Sequence, residues 1–114
     1  MLMGNDGKYR PNYNKLACQF FDYLNSEMGW NGVHALNGGE FYISEYGYWV
    51  DYYESSKNMV IEWDERTHHF KNKERVKKDI VREENIKALL KCKFIRIPDK
   101  SNFSYAKSIV LNNC

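Results

Sequence analysis

Apolar positions recur along this chain with two different periods. Leu16, Phe20 and Leu24 stand at i, i+4 and i+8, with Ala17 and Phe21 beside them, which predicts an amphipathic helix. Asn12 or Asn14 can cap it, and Gly29 is its expected stop. After a glycine-containing loop at 30–39, three runs rich in aromatic and β-branched residues predict strands: 40–43, 48–53 and 59–64. Gly47 marks the first turn and Ser55–Asn58 the second. Residues 65–72 read as a loop. The helical period then returns from about Lys73 to Lys91, with Val76, Ile80, Ile86 and Leu90 as its expected buried stripe. Residues 94–97 form a short strand stopped by Pro98, and Asn102 can cap a last helix that buries Phe103, Ala106, Ile109 and Val110. The order α-β-β-β-α-β-α implies an α/β fold: a mixed central sheet of about four strands flanked by helices. Its third and fourth strands should run parallel through a right-handed crossover.

The chain's 114 residues suit one domain with a loose tail at 1–11, and 43% hydrophobic content is enough for one core. No apolar run approaches the length of a membrane span, and the first residues lack an apolar signal core, so neither membrane nor export is indicated. Cys18, Cys92 and Cys114 are far apart with no CxxC pair, which reads as reduced thiols in a cytoplasmic setting. The net charge of +2 conceals an asymmetry. Residues 1–70 carry five basic and ten acidic side chains, whereas residues 71–96 carry ten basic and four acidic. An acidic half beside a basic segment suits a cation site next to a polyanion track, although a solvated Lys/Glu helix has the same composition.

The second hairpin concentrates the acids. A two- or four-residue turn at 55–58 places Asp51 opposite Glu62 and Trp49 opposite Asp64. Asp51, Glu62 and Asp64 then share one face, and Tyr48, Val50, Tyr52, Met59, Ile61 and Trp63 share the other. A three-residue turn would slip the register and invert a face. Carboxylates directly opposite one another repel, and a hard cation such as Mg²⁺ would relieve that repulsion with oxygen ligands. Glu40, His68, His69 and Asp79 could join the group, a neutral histidine being a natural base near neutral pH. Zinc is weakly supported, because no cysteine is near in sequence. Lys77, Lys78, Arg82 and Arg96 are candidate phosphate ligands.

The series Asp51, Glu62-Trp-Asp64, His68, Lys78-Asp79-Ile-Val-Arg82 and Phe94-Ile-Arg96-Ile resembles the PD-(D/E)XK nuclease superfamily. Within it, the chain is similar to the very-short-patch-repair-like endonucleases and to EDxHD homing endonuclease catalytic domains, over about residues 36–97. The resemblance implies a restriction-endonuclease-like core, Mg²⁺ or Mn²⁺, and hydrolysis of double-stranded DNA. Asp51 would be the central metal-binding carboxylate and Glu40 the first acid. Glu62 and Asp64 would be the strand acids, His68 the histidine and Asp79 the helix acid. The superfamily's usual lysine is absent, since position 64 is Asp, so His68 or His69 becomes the candidate for handling the proton. Spacing past Asp64 favours His68.

The resulting expectation is a metal-dependent endonuclease domain of the homing type, acting in the cytoplasm of a cell or of a phage host. No base-reading module is visible, so a separate specificity domain or a second copy is expected. The rival readings are a repair or structure-selective nuclease of the same fold, a non-catalytic nucleic-acid-binding module, and a plain interaction domain.

Overall fold

The computed structural model describes the backbone of residues 14–64 and 73–113, and the side chains of these except 73–76. Residues 1–13, with the expected tail and the alternative cap Asn12, residues 65–72, with His68 and His69, the Val76 side chain and Cys114 lie outside the described residues.

Helix α1 spans Lys15–Met28. The Asn14 side chain caps it by accepting from the Ala17 N–H at 3.0 Å, and Gly29 ends it in the left-handed region at φ 68°. Strands β1 (Phe41–Ile43) and β2 (Tyr48–Val50) form one antiparallel hairpin. Strands β3 (Tyr52–Glu54), β4 (Met59–Asp64) and β5 (Lys93–Pro98) form a second sheet in the order β3-β4-β5. Helix α2 (Lys73–Leu90) connects β4 to β5, and α3 (Phe103–Asn112) follows, capped by the Asn102 side chain on the Tyr105 N–H. As expected for a crossover through a helix, β4 and β5 are parallel.

The architecture is α/β with three described helices and five described strands in two small sheets, one an antiparallel hairpin and one mixed, not one continuous sheet. The break falls at Asp51, where the expected single strand 48–53 bends. Beyond the bend the hairpin keeps the expected register, with Tyr52 opposite Ile61 and Glu54 opposite Met59. Before it, Trp49 pairs with Tyr42 and not with Asp64.

The bend also corrects the expected apolar face. Tyr52, Met59, Ile61 and Trp63 do pack together, under Phe20, Phe21 and Leu24 of α1 and Ala106 and Val110 of α3. Val50 instead packs with Val60, Ile43 and Ile86 on the opposite side, where Tyr48 joins them. Strand β4 is therefore covered on both faces and is buried from Met59 through Trp63. This produces a nearly continuous apolar run, as in buried parallel sheets. Burying each large side chain in these clusters contributes about 1.5–3 kcal/mol.

Two expected helix stripes are also corrected. Ile86 is buried but Ile80 is 58% exposed, so among its described side chains α2 meets the core through its C-terminal half. Leu16 is exposed as well, and Cys18 takes its place in the buried face of α1. Among the described residues, no helix is long and apolar enough to cross a membrane.

Candidate active site

The strand alternation that sends Ile61 and Trp63 toward α1 sends Glu62 and Asp64 toward α2. Asp51, at the bend, completes a reciprocal contact with β4. Its N–H donates to Glu62 Oε2 at 3.1 Å, and its Oδ2 accepts from the Trp63 N–H at 2.8 Å. Asp51 and Glu62 are thus brought together as expected, but around a kink and not across a flat ladder.

Their charge is met from α2. Arg82 Nη1 donates to Glu62 Oε1 at 3.0 Å and Nη2 to Oε2 at 3.3 Å, while Nη2 also donates to the Trp49 carbonyl. This is a two-pronged guanidinium–carboxylate pair in which the side chains are only 21% and 11% exposed. Arg82, expected to face phosphates, is directed inward at the acids. Burial, then Glu62 and more weakly Glu40, push the Asp51 carboxyl well above its ordinary range, against the Trp63 N–H and Arg82. Glu40 therefore lies within electrostatic reach of Asp51, and Asp79 within reach of Arg82.

Asp64 belongs to a neighbouring network. Arg96 lies opposite Glu62 on β5, approaches Asp64 Oδ1 at 3.8 Å and donates to Glu83 Oε1 at 2.9 Å. Lys87 closes the chain on Glu83 Oε2 at 2.9 Å. Arg96, like Arg82, is directed at protein carboxylates. Lys77 and Lys78 are exposed and line a cleft of about 400 Å³ with Tyr48, Asp79, Val81 and Arg82. The expected phosphate ligands therefore divide into two inward arginines and two outward lysines.

The donor set suits a hard cation in chemistry, since Asp51, Glu62 and Asp64 offer only oxygens and Mg²⁺ needs as few as one or two carboxylates. Among the described residues, however, no three His, Cys, Asp or Glu side chains are gathered as a ready cation cage. The arginine occupies the role that the sequence reading gave to the ion.

Sequence reasoning missed His34. Its ring is fully buried, with Nδ1 accepting from the Leu36 N–H at 3.3 Å and Nε2 donating to Asp22 Oδ1 at 2.8 Å. It anchors the 30–39 loop to α1, and no local period marks such a contact. Nearby, burial pushes the Cys18 thiol up to about 11, which makes it an unreactive packing group. Compared with known proteins, the chain matches no family model, no curated protein and no solved structure.

Proposed function

We propose that this chain is the catalytic domain of a divalent-metal-dependent DNA endonuclease of the homing type, with a restriction-endonuclease-like core. The observation that carries this reading is the Asp51–Glu62 carboxylate pair, held beside a lysine-lined cleft. Asp51 and Glu62, with Asp64 on the same face of β4, are the residues to hold Mg²⁺ or Mn²⁺. Such an ion, when bound, activates water and offsets charge on a phosphodiester. The protein's own part is to present the carboxylates from a rigid bend, fixed by the Trp63 and Asp51 backbone amides. Lys77 and Lys78 bring the DNA backbone to them. His68 or His69, just past β4 in sequence, is the candidate to take a proton from the attacking water. Asp79, which lines the same cleft as the two lysines and acts electrostatically on Arg82, is the candidate to orient that histidine or a water. Double-stranded DNA is the partner, a further domain or second copy supplies the target specificity, and the cytoplasm is the setting.

One observation favours a second reading. Arg82 already neutralises Glu62 within the chain, which is how a non-catalytic nucleic-acid-binding module would stabilise the same acids. Plasmid DNA incubated with Mg²⁺, Mn²⁺ or chelator separates the two. Nicking that requires metal and disappears in a folded Asp51→Ala variant supports the enzyme. Salt-sensitive binding without nicking under any condition supports the module.

A further inference from the structure

The tip of the β1–β2 hairpin carries more aromatic surface than its core requires. Phe41, Ile43, Tyr48 and Val50 face the α2 side. Tyr42 and Trp49, direct cross-strand partners, pair on the other face with ring centroids 4.6 Å apart. At the turn, Tyr46 lies on Tyr48 with centroids 5.3 Å apart and planes only 14° from parallel. Tyr46 remains 45% exposed.

Tyr48 joins this stack to the basic cleft, since it lines the cleft together with Lys77, Lys78 and Arg82. It is fixed there from two sides. Asn85 Nδ2 donates to its hydroxyl at 3.1 Å, and the Arg82 guanidinium lies 5.6 Å from its ring centroid. A ring held in this way is preorganised, so a ligand that stacks on its partner has little ordering left to impose.

From this arrangement we infer that the Tyr46–Tyr48 ledge and the Lys77/Lys78 cleft form a binding site for an unpaired stretch of nucleic acid. A base stacks at Tyr46 and the adjoining phosphates lie against the two lysines. Within a duplex, base faces are covered by their neighbours, and only a single-stranded or splayed-out base offers one to a tyrosine. The lysines suit an anion and the ledge suits a flat ring, and a nucleotide chain supplies both at adjacent positions. An acidic peptide would satisfy the lysines alone. The inference rests on the proposal that the partner is a nucleic acid, and it adds to the double-stranded segment proposed for the acids an adjoining unpaired stretch held by the ledge. It does not depend on hydrolysis.

The test is fluorescence anisotropy with the full chain in chelator, using labelled oligothymidylate and a duplex of equal length. Single strand should bind more tightly than duplex. Tyr46→Ala should weaken single-strand binding about ten-fold, the effect of one lost base stack, while Tyr46→Phe retains it. Tyr46→Leu keeps an apolar contact with Tyr48 but offers no ring, and should behave like Tyr46→Ala. The Lys77→Ala/Lys78→Ala double variant should reduce the salt slope of binding by about 1.4, as expected for two single-strand phosphates. Tyr105→Ala, an exposed tyrosine on α3, should change nothing. Preference for duplex, equal binding by Tyr46→Ala, or displacement by polyglutamate as readily as by oligothymidylate would overturn the site. Metal-dependent plasmid nicking alongside unaltered Tyr46→Ala binding would remove the ledge and leave the nuclease. Ledge-dependent binding without nicking would sustain the ledge and remove the nuclease.

Discussion

Replacing Arg82 by Met tests the central charge arrangement directly. Methionine retains much of the aliphatic stem and removes the guanidinium that faces Glu62 at 3.0 Å. Unit charges at that distance attract by about 5.5 kcal/mol at an effective dielectric of about 20. The cost of burying the arginine disappears with it, so the net loss is smaller. Breaking one side of a buried pair costs about 3–5 kcal/mol, because the remaining charge is left uncompensated. With Arg82 still 21% exposed, the lower end applies, about 3 kcal/mol. For a chain of this length that is a fall of about 12 °C in Tm. The loss should also depend on pH. Asp51 already titrates above its ordinary range because of burial and Glu62. An acid whose folded pKa is raised stabilises the fold below its unfolded pKa and loses that contribution as pH rises through the folded value. Without Arg82 this behaviour should strengthen, so the difference between variant and wild type narrows as pH falls from 7 toward 4. In a Glu62→Gln background, Arg82→Met should cost only about 1 kcal/mol, the order of an ordinary hydrogen bond. Denaturant unfolding of the four proteins of this cycle at several pH values measures all of it. A loss below 1 kcal/mol, or the same loss with and without the Glu62 carboxylate, would refute the assignment of Arg82 as the counter-charge.

Asp51→Asn retains an acceptor for the Trp63 N–H and removes a like charge beside Glu62; metal-free melting should rise by about 1 kcal/mol equivalent, and on the nuclease reading the same variant should lack metal-dependent nicking. Millimolar Mg²⁺ should raise the Tm of Arg82→Met more than that of wild type, by differential scanning fluorimetry, because the ion can replace the missing cation. Glu54 is buried, yet hydrogen bonds from Ser56 and Asn31 hold its pKa below the ordinary 4.5. Its contribution is present above that value and lost as pH falls through the lower folded one. Glu54→Gln should therefore cost about 1–2 kcal/mol at pH 7 in chemical denaturation, a gap that closes in acid. A Cβ at position 32 would collide with the Tyr52 ring, so Gly32→Ala should lower stability by about 1–3 kcal/mol or more, read from the urea midpoint.

Where the fold follows from neighbours in sequence, the chain could be read closely. Asn14 and Asn102 cap their helices and Gly29 ends α1, because capping is settled within four residues. The α2 span was legible to within a residue at its end, and the β3–β4 register followed from turn length. What escaped depends on contacts between distant segments. Ile80 fits the helical period, yet its side chain is exposed. The bend at Asp51 transfers Val50 to the other face, and no local signal announces it in a run of aromatic and β-branched residues. His34 depends on Asp22, and Glu62 on Arg82 twenty residues away. In the candidate site, the acids were legible as a group because alternation places them, whereas their counter-charge required the crossover to be folded.

That counter-charge connects the competing readings of the chain. Two acids near one another in a mostly dry layer must be balanced, and a guanidinium and a divalent ion are alternative means of doing so. Arg82 reaches Glu62 from a helix whose outer side carries Lys77 and Lys78, so a polyanion in the cleft would lie near the same guanidinium. A phosphate that drew Arg82 outward would expose the Asp51–Glu62 pair to a cation at the same time. In the nuclease reading, substrate and metal thus assist one another's binding. In the module reading, Arg82 remains on Glu62 and divalent ions leave DNA affinity unchanged or weaken it by screening. A rise in DNA affinity with Mg²⁺ supports the nuclease reading and the lack of one supports the module, before any bond is broken.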